Sequence, residues 1–371
     1  MNLKIAVLPG DGIGPEVILQ AKKALYAIGV VYDHEFVFED ALMGAVAIDK
    51  TGNPLPEQTL NLCLNTDAVL FGAIGDPKYD NNPGAKVRPE QGLLKLRKEL
   101  GLFANIRPIK PYKSLLDSSP LKREIIEGAD FTIFRELTGG VYFGEKKLND
   151  AGTIASDLCE YSEEEITRIT HLAFKAAQNR RKKVTMVDKA NVLETSRLWR
   201  KVVKTVSENY PDVVLDFLFV DNAAMQIILN PKQFDVILTE NLFGDILSDE
   251  ASVITGSIGL LASASLGNKN ALFEPIHGSY PQAKGKNSAN PIASILSAAM
   301  LLEHFGLHKE AKKVYEAVEK AIEYNVVTVD LKADSKFGTN EVGDFISNVI
   351  LSKDDLYFKS DNVQIGQSTI V

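Results

Sequence analysis

A chain of 371 residues that is 45% hydrophobic and 24% charged holds material for two to three domains, or for one large α/β unit with two lobes. Its composition excludes a disordered chain, a coiled coil and a collagen-like polymer. With 41 Lys+Arg against 49 Asp+Glu the net charge is −8. Nothing here makes an electrostatic claim on nucleic acid or an anionic membrane, although a local basic site for a small anion stays open. Cys63 and Cys159 form no C-x-x-C pair, against a disulfide scaffold or a structural zinc. The opening MNLKIAVLPGDGIGPEV breaks at Pro9 and Gly10, and no stretch reaches about 18 apolar residues. The chain reads as a soluble, cytoplasmic protein.

Strands and helices alternate from the start. LKIAVLP predicts a strand, GDGIGPEV a turn, EVILQAKKALYAIG a helix stopped by Gly29, and EFVFED a second strand. AVLFGAIG (68–75) predicts a third strand, followed by a polar loop through Pro89 and a helix in GLLKLRKELGLF. This βαβ order predicts a parallel sheet covered by helices. NIRPIKPY, ADFTIFREL and GGVYFGEKKL are β-like, and EEEITRITHLAFKAAQNR is an amphipathic helix with Ser162 as its cap. Strand–helix pairs follow in KKVTMVDK/ETSRLWRKVVKTVSENY, LDFLFVDNAAMQIIL and FDVILTENLFGDILSDEASVI, with two further helices beyond about residue 290. His304 and His308 are separated by the helix-ending Gly306, which suits a helix end better than a metal pair.

The glycines of GDGIG fail the G-x-G-x-x-G spacing, because Pro15 or Val17 stands where the third glycine belongs. They form a glycine turn opening a helix, and the usual dinucleotide fingerprint is absent. Asp245 and Asp249 are four apart and share one helix face among apolar and small neighbours. That pattern fits a solvated acidic face or a bound cation. Asp221 closes another apolar run, and three carboxylates without Cys or His suit a hard ion, Mg²⁺ or Mn²⁺. Arg97, Arg107 and Arg135 fit either the surface or a clamp on a dicarboxylate. Tyr142 fits plain core or a site, and Lys189 stands at a strand end, where α/β folds deliver functional groups. Residues 272–291 form a long segment rich in turn residues, whose His277, Gly278 and Asn290 suggest a ligand cradle.

Taken together, LPGDGIGPEV, GLLKLRKELGLFANIRP, RELTGGVYFGE, VDKANVLETSRLWR, VDNAAMQ, ENLFGDILSDEAS and EPIHGSYP…ANP resemble the isocitrate/isopropylmalate dehydrogenase family, the metal-dependent decarboxylating dehydrogenases of β-substituted malates. The resemblance runs from Met1 to about Ser352. PEQGLLKLRK is similar to the isopropylmalate branch, and isocitrate enzymes are expected to carry a serine-containing segment there. Homoisocitrate, tartrate and D-malate enzymes remain the neighbouring alternatives.

This resemblance implies a two-lobed α/β fold that is not the usual Rossmann dinucleotide fold. One lobe would be built from 1–103 plus 256–352 and a central lobe, with the dimer contact, from 104–255. Residues 353–371 would be a tail. It implies 3-isopropylmalate as substrate, NAD and Mg²⁺ or Mn²⁺ as cofactors, and a homodimer with shared sites. Arg97, Arg107, Arg135, Glu90, Leu93 and Asp221 would contact the substrate, with Leu94 near its side chain. Asp221, Asp245 and Asp249 would hold the metal. Gly75, Glu90, Asn191, Glu274, His277, Gly278, Ser279, Gln282, Ala283 and Asn290 would line the cofactor. Lys189, arriving with Asp221 from the neighbouring subunit, would take the hydroxyl proton, and Tyr142 would protonate the enol left by decarboxylation. Gln282 stands where NAD-using relatives carry an acid on the adenosine ribose, and where NADP-using relatives tend to have a lysine followed by a tyrosine; here Ala283 follows.

Overall fold

The computed structural model describes residues 1–80 and 85–352; the tail 353–371 lies outside the described residues. Among these residues the strands are β1 (Asn2–Gly10), β2 (Glu35–Asp40), β3 (Ala68–Ala73), β4 (Ala104–Ile109), β5 (Phe131–Glu136), β6 (Lys146–Leu148), β7 (Ala155–Asp157), β8 (Lys183–Asp188), β9 (Val214–Phe219), β10 (Val236–Thr239), β11 (Ala262–Leu266) and β12 (Ala271–Pro275). The chain divides into two compact units. The first comprises Met1–Leu100, Ser257–Ala264 and the stretch from Lys269 onward; the second comprises Gly101–Gly256 and Ser265–Asn268. None of the helices is long and apolar enough to cross a membrane, among the described residues.

In the first unit the strand order is β2-β1-β3-β12-β11. β1 pairs parallel with both β2 and β3. Ile5, Val7, Val69 and Leu70 are buried, as expected of parallel strands covered on both faces. Helix Gly14–Tyr32 carries Pro15 in its first turn and ends at Asp33 in the left-handed region. Its Val17, Ala21, Ala24, Leu25 and Ile28 recur at helical spacing and are buried. Gly10 has φ +70, and a Cβ there would lie 1.9 Å from the Ala73 carbonyl oxygen. Only glycine lets the turns after β1 and β3 approach so closely.

In the second unit the order is β4-β5-β10-β8-β9. β5, β10, β8 and β9 are mutually parallel, whereas β4 runs antiparallel to β5. Its core gathers Phe174, Trp199, Val184, Met186, Val236 and Leu238, with Ile166 and Ile169 from helix Glu163–Gln178. That helix has the capping box expected of its sequence. Ser162 Oγ accepts from the Glu165 N–H at 3.2 Å, and Glu165 returns a carboxylate to the Ser162 N–H at 2.7 Å.

The structure departs from the sequence reading in several places. The first long helix does not stop at Gly29 but runs through it to Tyr32, and helix Thr339–Leu351 follows the two expected beyond residue 290. GGVYFGEKKL is not one β-run, since Gly140–Tyr142 is a 3₁₀ turn and only Lys146–Leu148 is a strand. The cause is Gly140 at φ +71, whose missing Cβ leaves room for the Tyr161 hydroxyl. Residues 272–275 belong to β12, so the turn-rich segment begins in a strand. Helices Ala45–Thr51 and Glu57–Leu64 have no counterpart in the sequence reading. They are short, seven and eight residues, so each offers barely two turns over which a helical period can show.

Candidate active site

The second unit assembles a cationic and acidic cluster from two strands and one helix. Antiparallel pairing sets Asn105 of β4 opposite Arg135 of β5. Arg107, two residues on, therefore lies diagonally beside Arg135 on the same face. Helix Asn241–Thr255 presents Asn241, Asp245, Ser248 and Asp249 at spacings of three and four, one face of the helix. A Cβ on Gly244 would lie 2.6 Å from Arg135 Cγ, so this glycine lets the arginine stem cross the helix. Arg135 then donates through Nε and Nη2 to Asn241 Oδ1 at 3.1 and 2.8 Å, and through Nη1 to Asp245 Oδ1 at 2.5 Å. Arg107 donates to Asn105 Oδ1 at 2.6 Å and Ser248 Oγ at 2.5 Å. Its longer ion pairs run to Asp245 at 3.8 Å and Asp249 at 3.6 Å.

Tyr142 joins this cluster. Its hydroxyl donates to Asp245 Oδ2 at 2.5 Å, and the Arg135 guanidinium lies 5.5 Å from its ring centroid. Partial burial, then the Asp245 carboxylate, push the phenol up to about 12, so it holds its proton at neutral pH. The turn that carries it is fixed from below. Buried Glu136 accepts from the Thr138 and Gly139 backbone N–H groups, and Lys146 Nζ donates to the Val141, Tyr142 and Gly144 carbonyls.

Lys189 and Asp221 form a second pair. β8 and β9 are parallel with Asp188 opposite Phe219, so the residues just past the two strand ends are neighbours. Lys189 Nζ donates to Asp221 Oδ1 at 2.7 Å, and that hydrogen bond lowers the Asp221 pKa. The lysine backbone is held as well, its N–H donating to Ser196 Oγ at 3.0 Å. Buried Asp188, clamped by Arg200 Nε at 2.5 Å and Nη2 at 3.0 Å, fixes the strand end. Asn191 follows in an exposed turn.

No group of three or more His, Cys, Asp and Glu side chains gathers to hold a metal among the described residues. The three aspartates that the sequence groups together are therefore not brought together within one chain. Asp245 and Asp249 share one helix face, while Asp221 is engaged by Lys189. All three offer oxygen only, which fits Mg²⁺ or Mn²⁺ as a donor set.

In the first unit three turns converge. The Ile13 N–H donates to the Ser279 carbonyl at 2.8 Å, and a Cβ on Gly12 would lie 1.9 Å from that oxygen. Gly75, at φ +114, lies so that a Cβ would meet Glu90 Oε1 at 3.1 Å and Ser279 Oγ at 3.5 Å. His277 Nδ1 donates to the Gly278 carbonyl at 3.0 Å, which leaves Nε2 as the acceptor; that atom is buried without a hydrogen-bond partner. Burial holds the ring below the usual histidine value. A buried acceptor that no protein group meets fits a nucleotide base offering a donor. Arg97 is buried with Nη2 on Glu274 Oε1 at 2.8 Å, and its Nε is without a partner. Leu93 is buried beside it on helix Pro89–Glu99, and Leu94 is half-buried.

Two residues assigned to the cofactor by resemblance are engaged by the protein itself. The Ala283 methyl packs with Ile13, Val17 and Ala289. Asn290 accepts from the Ile292 N–H at 3.0 Å and donates to Asp330 Oδ2 at 3.0 Å. Gln282 is exposed. The sequence reading passes over Asp11, which is buried and accepts from the Ala45, Val46 and Gly75 N–H groups. Its one signal is a lone acid between two glycines.

The family profile described as isocitrate/isopropylmalate dehydrogenase matches residues 4–346. A 3-isopropylmalate dehydrogenase of Bacteroides fragilis is 55% identical over 353 residues, covering 94% of this chain and 99% of the relative. One of Bacillus subtilis is 52% identical over 363 residues, covering 96% and 99%. The crystal structure of isocitrate dehydrogenase from Methylococcus capsulatus superposes with a TM-score of 0.86 at 34% identity, covering 94% of this chain and 100% of that one. Sequence, fold and the clustered arginines, tyrosine and aspartates agree: the chain belongs to the isocitrate/isopropylmalate dehydrogenase family.

Proposed function

We propose that the protein oxidises and decarboxylates 3-isopropylmalate with NAD, giving 4-methyl-2-oxopentanoate and carbon dioxide, a step of leucine biosynthesis. The observation that carries this reading is the arrangement of Arg107, Arg135 and Tyr142 around Asp245, with Asp249 one helical turn on. Fixed guanidiniums match a substrate with two carboxylates, and adjacent carboxylates match a divalent cation. The 52–55% identity to 3-isopropylmalate dehydrogenases over nearly the full chain supports the choice of substrate.

Arg107 and Arg135 orient the substrate carboxylates, and preorganised orientation supplies several kcal/mol of barrier reduction. Both are locked by neutral partners, Asn105, Ser248 and Asn241, so their positions do not depend on the acids alone. Arg97, held by Glu274, serves the same substrate. Lys189 takes the hydroxyl proton as the carbon that bears it is oxidised. NAD held beside Gly75, Glu90 and His277 would supply the acceptor for the hydride of that carbon. The bond to the β-carboxylate then breaks, and its electron pair forms an enolate as carbon dioxide leaves. Tyr142, which keeps its proton at neutral pH, donates it to the carbon that lost the carboxylate. A divalent cation at Asp245 and Asp249, completed by Asp221, supplies positive charge that eases hydroxyl deprotonation and the charge left by decarboxylation.

The active form in this reading is a homodimer in which Lys189 and Asp221 serve the partner's site. Asp221, Met225 and Leu229 stand four apart on helix Val220–Leu229. Met225 is 51% exposed and Leu229 57%, as is Ile246 beside Asp245. Apolar side chains flanking the acids support a second copy packing there. The test is NADH absorbance with a panel of 3-isopropylmalate, isocitrate, homoisocitrate, tartrate and D-malate, with Mg²⁺ or Mn²⁺. Highest kcat/KM on 3-isopropylmalate is expected; another substrate in first place overturns the substrate assignment.

A further inference from the structure

We propose that Asp11 is a positioning residue for the nicotinamide half of the dinucleotide, acting through the Gly75 N–H; this rests on the functional reading above. Asp11 lies between Gly10 and Gly12, both in the left-handed region at φ +70 and +57. Its carboxylate is turned inward and only 5% of the residue is exposed. Oδ2 accepts from the Ala45 N–H at 2.8 Å and the Gly75 N–H at 3.0 Å, while Oδ1 accepts from the Val46 N–H at 2.9 Å. The Asp11 N–H donates to the Ala73 carbonyl at 2.9 Å. One side chain therefore joins the turn after β1, the first turn of helix Ala45–Thr51 and the turn after β3.

The surrounding chain is shaped to admit this group. Gly44 has φ +85, and a Cβ there would lie 2.3 Å from Asp11 Oδ2. Burial raises the Asp11 pKa, and the three backbone N–H groups oppose that shift. A carboxylate is thus kept in a place that disfavours its charge, held by N–H groups alone. Charge-assisted bonds of this kind fix geometry more tightly than neutral ones. What they fix is Gly75, the residue facing Glu90 Oε1 and Ser279 Oγ. The resemblance sets Gln282 at the adenosine ribose and Glu90 against both substrate and cofactor; the half of the dinucleotide that meets the substrate is the nicotinamide, so Gly75, which faces Glu90, lies on that side. Asp11 touches no ligand and sets where the Gly75 turn stands.

The test is Asp11→Asn, which keeps the shape and turns one acceptor oxygen into a donor facing backbone N–H groups. NAD and AMP affinities are titrated by fluorescence or calorimetry on the full chain, with melting temperature followed in parallel. The expected result is a Kd for NAD raised about tenfold, the scale of one charge-assisted hydrogen bond, with AMP affinity unchanged. KM for NAD should rise with less change in kcat at saturating NAD. If Asp11→Asn does not fold, Ala45→Pro removes one donor at a helix position that accepts proline, and a smaller loss of NAD affinity in the same direction is expected. Unchanged NAD affinity in a folded variant, or an equal loss for AMP and NAD, overturns the proposal. Wild-type protein that binds no NAD overturns the functional reading itself, which separates the two failures.

Discussion

Arg135 and Tyr142 meet on one carboxylate: the guanidinium holds Asp245 Oδ1 and the phenol holds Asp245 Oδ2, each at 2.5 Å. The residue proposed to orient substrate and the residue proposed to donate the final proton are thus joined through a proposed metal ligand. In the proposed reading a cation at Asp245 would compete with both contacts, which would couple cation binding to the placement of these two groups.

Asp245→Asn and Asp249→Asn are therefore expected to differ. Each removes a charged ligand, and Mn²⁺ titration should show at least about a tenfold loss of affinity, the scale of a contact to a charged group. Asp245→Asn also leaves one acceptor where Arg135 and Tyr142 now have two, so its loss of kcat/KM should exceed that of Asp249→Asn. Wild-type Mn²⁺ affinity in both variants would remove the cation from this helix face.

Shared sites are tested by mixing inactive chains. Lys189→Ala and Arg97→Ala homodimers should each be inactive. Hybrid dimers place one intact Arg97 and one intact Lys189 in the same site, so some NADH formation should return after subunit exchange. Confirmed exchange without activity would mean that Lys189 serves its own chain.

Strong periodic signals made much of the fold legible. The helices at Gly14–Tyr32 and Glu163–Gln178 have wide apolar faces, and the buried strands are apolar runs between turns, but the first helix ends at Asp33 rather than at Gly29, which is buried inside it. The acid pair was legible because helical spacing puts Asp245 and Asp249 on one face whatever the tertiary context. Asp11 was not, because its value comes from three N–H donors that are 34, 35 and 64 residues distant in sequence. Nor could spacing show that Ala283 packs inward beside Ile13 and Val17. A small residue in a turn-rich segment reads the same whether it faces a ligand or the core.

Burial of His277 gives a pH dependence with a definite sign. Its native pKa lies below the ordinary 6.5 because burial disfavours the charged ring. In the unfolded chain the ring takes up a proton near 6.5, so the unfolded state gains protons first on acidification. The stability this group contributes is present above that value and is lost as pH falls toward the native one. Urea midpoints of wild type and His277→Gln, compared at about pH 7.5 and about pH 5.5, should show the wild type losing more. A difference independent of pH would place the ring in solvent.

The last expectation concerns Gln282, exposed beside the buried Ala283. An acid here would repel a 2′-phosphate and a lysine would attract it; an amide does neither. Discrimination between NAD and NADP must then rest on hydrogen bonds to the ribose and on the shape of the turn. Ala283 contributes through its packing, since its methyl points into the core. Lys284 is exposed in the same turn and adds positive charge that favours the phosphate. Wild type should prefer NAD by a modest ratio of kcat/KM. Gln282→Asp should widen that ratio mainly by raising KM for NADP, because the change acts on binding rather than on the reacting atoms. Ala283→Tyr is expected to lose stability in addition, since a ring cannot occupy the space of a methyl packed against Ile13 and Val17. Kinetics with both cofactors in wild type and Gln282→Asp decide the point. A wild type that prefers NADP, or a ratio unmoved by the aspartate, would show that this side chain is not at the adenosine ribose.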